Sequence, residues 1–135
     1  MLRALYEGVV YGHLSQIENL LAAGARVDSA RLIGGGARSL IWAQMFADVL
    51  GLPIEVPQGS EIGARGAALC AGIGAGVYAD YAEAAARAVA IERMHAPEPA
   101  ATARYRAAYA EYQRLAEAMH EPWGRLQQLE QSRAL

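Results

Sequence analysis

An α/β architecture, rich in helix and carrying two or three short strands, is what this sequence predicts, and three observations predict it. Segments with apolar residues at three- and four-residue steps alternate with brief apolar runs that stop at glycine or proline, in the order helix, strand, helix, strand, helix, then helices. Alternation of this kind belongs to parallel strands joined by helical crossovers. Two short strands are too few for a sheet buried on both faces, so the chain is expected to be the latter part of a larger α/β domain, beginning at a crossover helix. A composition of 54% hydrophobic and 19% charged residues over 135 positions allows one domain with a real core, and leaves apolar surface to spare.

The elements follow in order. Leu2, Leu5, Tyr6, Val9, His13, Ile17, Leu20 and Leu21 mark one face of an amphipathic helix that Gly24 stops. Gly8 and Gly12, one turn apart, cost helix stability and open a surface for close backbone approach. Ala30 to Ile33 reads as a short buried strand ended by Gly34, Gly35 and Gly36. Ser39 caps a helix from about Leu40 to Leu50, with Ile41, Met45 and Val49 on its apolar face and Gly51 as its end. Pro53 and Pro57 bracket the strand Ile54-Glu55-Val56. A helix of alanine and glycine from about Ile62 to Val77 must draw its stability from tight packing, because its glycines lose propensity. Ala79 to Val89 is a further helix, Ile91 to Met94 is ambiguous, and Tyr105, Tyr109, Tyr112, Leu115 and Met119 mark a long terminal helix. Pro122 is expected to break it and leave a helical tail over 120–135.

Charge and cysteine content narrow the function. A net charge of -2 with singly scattered arginines lacks the basic face that nucleic acid requires. The single Cys70, among small apolar residues, excludes an internal disulfide and reads as a buried thiol. No segment is long and apolar enough for a bilayer and none has the layout of a signal peptide, so a cytoplasmic setting without a membrane partner is expected. His13, His95 and His120 lack metal-ligand spacing and read as packing or surface residues, as Trp42 and Trp123 read as packing anchors.

Chemistry concentrates at Leu32-Ile33-Gly34-Gly35-Gly36-Ala37-Arg38-Ser39, where a strand runs into three glycines and a helix begins. Glycines there let bare main chain meet a flat or anionic ligand, and the helix's amino end favours phosphate or a polar base edge. The spacing is neither a dinucleotide fingerprint nor a P-loop, and a plain glycine turn joining strand to helix explains it equally well on physics alone.

The longer string resembles a known family. Gly34-Gly35-Gly36-Ala37-Arg38-Ser39, then Trp42 to Gly51, Pro53-Ile54-Glu55-Val56-Pro57, Glu61 and Gly66 to Gly72 are similar, in order, to the adenosine-binding segment and closing small-residue helix of FGGY carbohydrate kinases. Tyr6 to Tyr11 upstream and Tyr105 to Leu115 downstream extend the resemblance over most of the chain. It implies a partial RNase H-like domain of the actin-like ATPase superfamily: residues 1–135 as part of the C-terminal nucleotide-binding domain of an ATP-dependent sugar kinase. Magnesium-assisted phosphoryl transfer to a ketopentose or polyol hydroxyl is the reaction implied, the branch closest to xylulose, L-xylulose or erythritol kinases.

Carried over position by position, the resemblance assigns adenine nucleotide to Gly34, Gly35, Gly36 and Ser39. It leaves Glu61 open between a ligand and a helix-capping role, and makes Gln44 a packing residue. Arg65 departs from the family's commoner apolar residue. The catalytic aspartate, phosphate loops and sugar pocket belong to earlier parts of such a kinase. No catalytic or metal-binding residue is therefore expected here, nor kinase activity from this chain alone, and sugar would bind only with the missing part. A second reading is a non-catalytic, helix-rich module that self-associates as a homo-oligomer through exposed apolar faces.

Overall fold

The computed structural model describes residues 1–133, so the last two residues of the expected tail lie outside the described residues. The elements are α1 (Leu2–Ala22), β1 (Ala30–Arg31), α2 (Leu40–Leu50), β2 (Ile54–Pro57), α3 (Ile62–Gly74), α4 (Tyr81–Ala88), β3 (Ile91–His95) and α5 (Pro99–Arg133), with a 3₁₀ turn over Gly35–Arg38 before α2. The sheet runs β1-β2-β3, with β1 parallel and β3 antiparallel to β2. The pairing shifts register between Val56 and Pro57, where a residue without an N–H fits a bulge. The α/β class holds, and the ambiguous Ile91 to Met94 segment is its third strand.

Helix α2 is the centre of the molecule. Seven of its eleven residues are buried, and Met45, Phe46, Ala47, Val49 and Leu50 pack with Val10, Tyr11 and Leu14 of α1, Ile54 of β2 and Tyr109 of α5. Its ends are as the sequence foretells: Ser39 Oγ accepts from the Trp42 N–H at 3.2 Å, and Gly51 closes it in the left-handed conformation (φ +68°). The inward face is not the expected one throughout, since Ile41 is 80% exposed.

Further expectations are corrected. In α1 the buried residues are Val10, Tyr11 and Leu14, while Leu2, Leu5, Val9, Leu20 and Leu21 are exposed. The apolar sector is wide enough for two contacts, and only one has a partner among the described residues. Helix α3 contains no buried residue: its main packing is against α4, a side chain at Gly63 or Gly66 would meet nothing, and Cys70 is exposed rather than buried. It also ends early, because the Tyr78 ring folds over Gly72 and the Val77 N–H donates to the Gly72 carbonyl at 2.8 Å. Pro122 lies inside α5 instead of ending it. The carbonyl it orphans, on exposed Ala118, is open to water. Trp123 is 54% exposed, unlike half-buried Trp42, whose ring lies 4.9 Å from Tyr6 and 5.8 Å from Phe46.

Polar groups lock α2 to its neighbours. Buried Asp48 accepts from the Gln44 side chain and from the Glu98 backbone N–H through Oδ1, each at 2.9 Å. Gln44 also donates to the Ala96 carbonyl at 2.8 Å and lies 3.2 Å from His95 Nδ1. Tyr109 donates to Glu18 at 3.1 Å, and burial pushes its phenol above the ordinary range.

Candidate functional site

The carboxyl ends of β1 and β2, and the helices that follow them, enclose a cleft of about 340 Å³. That volume lies at the small end of the range typical of small-molecule sites. One wall is Leu32, Ile33, Gly34, Ala37 and Arg38; the opposite wall is Pro57, Gly59, Ser60 and Ile62; Glu92 and Arg93 of β3 form the floor. In a parallel arrangement the loops at the strand carboxyl ends gather on one side, which is where ligands bind in open α/β sheets.

Gly34 turns the chain out of β1 with φ +82° and ψ −163°, a conformation open to glycine alone. A Cβ added at Gly34 or Gly35 would meet nothing within 4 Å, so main chain is bare there. Gly36 is different. A Cβ on it would lie 2.8 Å from Cζ3 of Trp42, so this glycine makes room for an indole of the chain itself. The 3₁₀ turn over Gly35–Arg38 separates the bend from α2, and Ser39, exposed, spends its oxygen lone pair on the Trp42 N–H while its own O–H stays able to donate.

Two arginines line the cleft, beside the carboxylate of Glu92. Arg38 lines it, Arg93 donates through Nη2 to the Ala37 carbonyl, and Arg93 Nε is buried with no partner among the described residues. Arg65, whose identity the sequence left unexplained, carries its guanidinium over Gly59: a Cβ there would lie 2.5 Å from Arg65 Nη2. Gly59 tolerates that closeness and its own φ of +94° because it has no side chain. The amino end of α3 opens at Ile62, adding its partial positive charge. Bare backbone beside guanidinium groups and a helix start suits an anion attached to a flat polar body.

Of the residues singled out in the sequence, Gly34 lines the cleft. Gly35 adjoins it, Gly36 sits under Trp42, Ser39 is at the far end of the 3₁₀ turn, and Glu61 is exposed between the lining residues Ser60 and Ile62 with no capping hydrogen bond from its side chain. Pro57, Gly59, Arg65 and Arg93 were not assigned to the site. Their only sequence signal is the arginine at an unusual position, because sheet pairing rather than local pattern brings them to the bend. Among the described residues no group of three or more His, Cys, Asp or Glu gathers as a metal site. A second, larger groove of about 730 Å³ flanks the same corner of α2, between the amino ends of α1 and α2 and the start of α5, with Leu2, Tyr6, Leu40, Ile41 and Met45 among its lining.

The chain is similar to known proteins over most of its length. Residues 1–75 match the FGGY family of carbohydrate kinases, C-terminal domain. The chain is 40% identical over 119 residues to the L-xylulose/3-keto-L-gulonate kinase of Escherichia coli (strain K12), covering 88% of this chain and 24% of that protein. It is 35% identical over 114 residues to the autoinducer-2 kinase of Salmonella paratyphi B, covering 84% and 22%. Among solved structures, a xylulose kinase from Rhodospirillum rubrum superposes with a TM-score of 0.76 at 28% identity, over 88% of this chain and 24% of that one. A ligand-bound xylulose kinase from Lactobacillus acidophilus superposes at 0.83 with 21% identity, over 92% and 25%, a likeness of fold. The chain thus spans about a quarter of the length of the relatives it matches. These neighbours are sugar kinases of the actin-like ATPase fold.

Proposed function

The chain belongs to the FGGY family of carbohydrate kinases, whose C-terminal domain it matches, and on that footing we propose that it is the adenine-nucleotide-binding portion of an ATP-dependent sugar kinase. The observation that carries this reading is the bare main chain at Gly34 and Gly35 beside the arginine-lined cleft. ATP or ADP would lie against that backbone. Ser39 would donate its O–H to the base, and Glu61, free of a capping role, would accept from a hydroxyl or amino group of the nucleoside. Arg38, Arg65 and Arg93 would face the phosphate end. Relatives named as L-xylulose kinases support a ketopentose or related polyol as the acceptor of the whole enzyme.

Catalysis asks for more than this chain supplies. Magnesium would neutralise phosphate charge in the family's reaction, held by one or two carboxylates together with the phosphates themselves. Phosphoryl transfer depends on positioning and charge stabilisation about an in-line geometry, and one wall of a cleft provides neither the nucleophile's base nor the acceptor's pocket. The isolated chain is therefore expected to bind nucleotide weakly and to transfer nothing. Calorimetric titration with ADP tests the first half, with Gly35→Ala weakening the affinity by about tenfold or more because its Cβ stands where the ligand would approach. A coupled assay of ATP turnover with xylulose and L-xylulose tests the second. Turnover by the 135-residue chain would refute the inactivity, and absence of ADP binding would refute the site.

A second reading, self-association through uncovered apolar faces, is favoured by one observation: Leu2, Leu5, Val9, Leu20 and Leu21 leave one side of α1 apolar and exposed.

A further inference from the structure

Helix α5 is far longer than its packing requires. Its first half is tied down: Arg106 bonds Glu18 at 2.8 Å, Tyr109 is buried against Tyr11, and α2 is its principal neighbour. Between Tyr11–Gln16 of α1 and the stretch of α5 from Tyr109 to Trp123 lies a groove of about 550 Å³. Along this outer half Tyr112, Leu115, Met119, Pro122 and Leu126 step by three, four, three and four residues. Leu115 is 66%, Leu126 57% and Met119 40% exposed, with Trp123 beside them at 54%. Alternate steps of three and four place these side chains on one seam, the pattern by which two helices pack at a shallow angle.

We propose that this seam is a homotypic interface, in which the outer halves of α5 from two copies of the chain lie side by side in parallel about a twofold axis. Charge argues for a second copy and for the parallel sense. Arg125 and Glu130 flank the seam five residues apart, the separation at which a residue on one helix faces its counterpart across a parallel pair. Arg125 would thus meet the partner's Glu130 on both sides of the axis. The bond Arg125 makes now, to Glu121 at 3.1 Å, joins two side chains that are 67% and 74% exposed, and exchanges at little cost. The exposed seam amounts to roughly 500 Å² per chain, below the ~800 Å² per partner of a standard interface, which places the pair in the weak, concentration-dependent class. Pairing would also stabilise the outer half of α5, since a lone stretch of that length is marginal in water. The proposal rests on the self-association reading and narrows it to one surface; it is independent of nucleotide binding.

Sedimentation velocity of the 135-residue chain over a roughly hundredfold concentration range is the test. A reversible dimer is expected. Leu126→Glu should raise its dissociation constant at least about tenfold, with unchanged helical circular dichroism and unchanged ADP affinity. Arg125→Glu and Glu130→Arg should each weaken it, and the double swap should restore it. In a Cys70→Ser background, Met119→Cys should give a disulfide-linked dimer under mild oxidant. A monomer at every concentration overturns the proposal. Dispersal by Leu5→Glu but not by Leu126→Glu would also overturn it, while leaving self-association through α1 standing. No rescue by the double swap, or no Met119→Cys cross-link, overturns the parallel register.

Discussion

Replacing Gly36 by alanine separates a glycine kept for the fold from one kept for a ligand. The added Cβ would lie 2.8 Å from Trp42 Cζ3 and 3.0 Å from Cε3, nearer than carbon atoms pack. Trp42 is not free to yield, because Tyr6 and Phe46 hold its ring at 4.9 and 5.8 Å. Overpacking of this kind costs about 1–3 kcal/mol. Against it stands the lower chain entropy of alanine in the unfolded state, worth about 0.4–1 kcal/mol. The clash wins, and Gly36→Ala should be destabilised by about 1–2 kcal/mol, a fall in Tm of roughly 3–8 °C for a chain of this size. Thermal unfolding followed by far-ultraviolet dichroism measures it. In a Trp42→Leu background the same substitution should become neutral or slightly stabilising, since contacting residues are non-additive. A Gly36→Ala protein within ~0.5 kcal/mol of the parent, or an equal loss in both backgrounds, would refute the packing argument.

Other outcomes follow from the same structure. Asp48→Ala strips buried acceptors from the Gln44 side chain and the Glu98 N–H, and should cost about 1–3 kcal/mol in denaturant titration. Tyr109 has its phenol raised above the ordinary 10.0, first by burial, so the folded state holds that proton more tightly than the unfolded chain. Its contribution is complete below about pH 10 and is lost as pH rises through the folded value; Tyr109→Phe should flatten the fall in stability measured above pH 10. Pro122→Ala restores an amide to an exposed turn of α5, and should raise helical dichroism and stabilise the outer helix by up to about 3 kcal/mol.

Where local chemistry decides structure, the sequence was legible. Ser39 and Gly51 bound α2 to the residue, and Asp80 starts α4 by accepting from the Glu83 N–H at 2.8 Å. The third strand was hidden because Glu92 and Arg93 interrupt any apolar alternation. It exists through its antiparallel pairing with β2, a tertiary fact. Periodicity in α1 revealed an apolar sector but not which part of it finds a partner, and Val10 and Leu14, off the expected face, are its fully buried residues. In the site, the need for glycine at Gly34 was readable, whereas the roles of Arg93, Gly59 and Trp42 depend on distances that no local pattern carries.

The central claim is that nucleotide meets bare main chain at the glycine bend. Titration of ¹⁵N-labelled chain with ADP, followed by amide shifts, tests it most directly. The account predicts saturable shifts at Gly34, Gly35, Arg38 and Ser39, with smaller ones at Gly59 and Ser60 across the cleft and none in the outer half of α5. Shifts absent from the bend, or confined to surfaces away from it, would contradict the account.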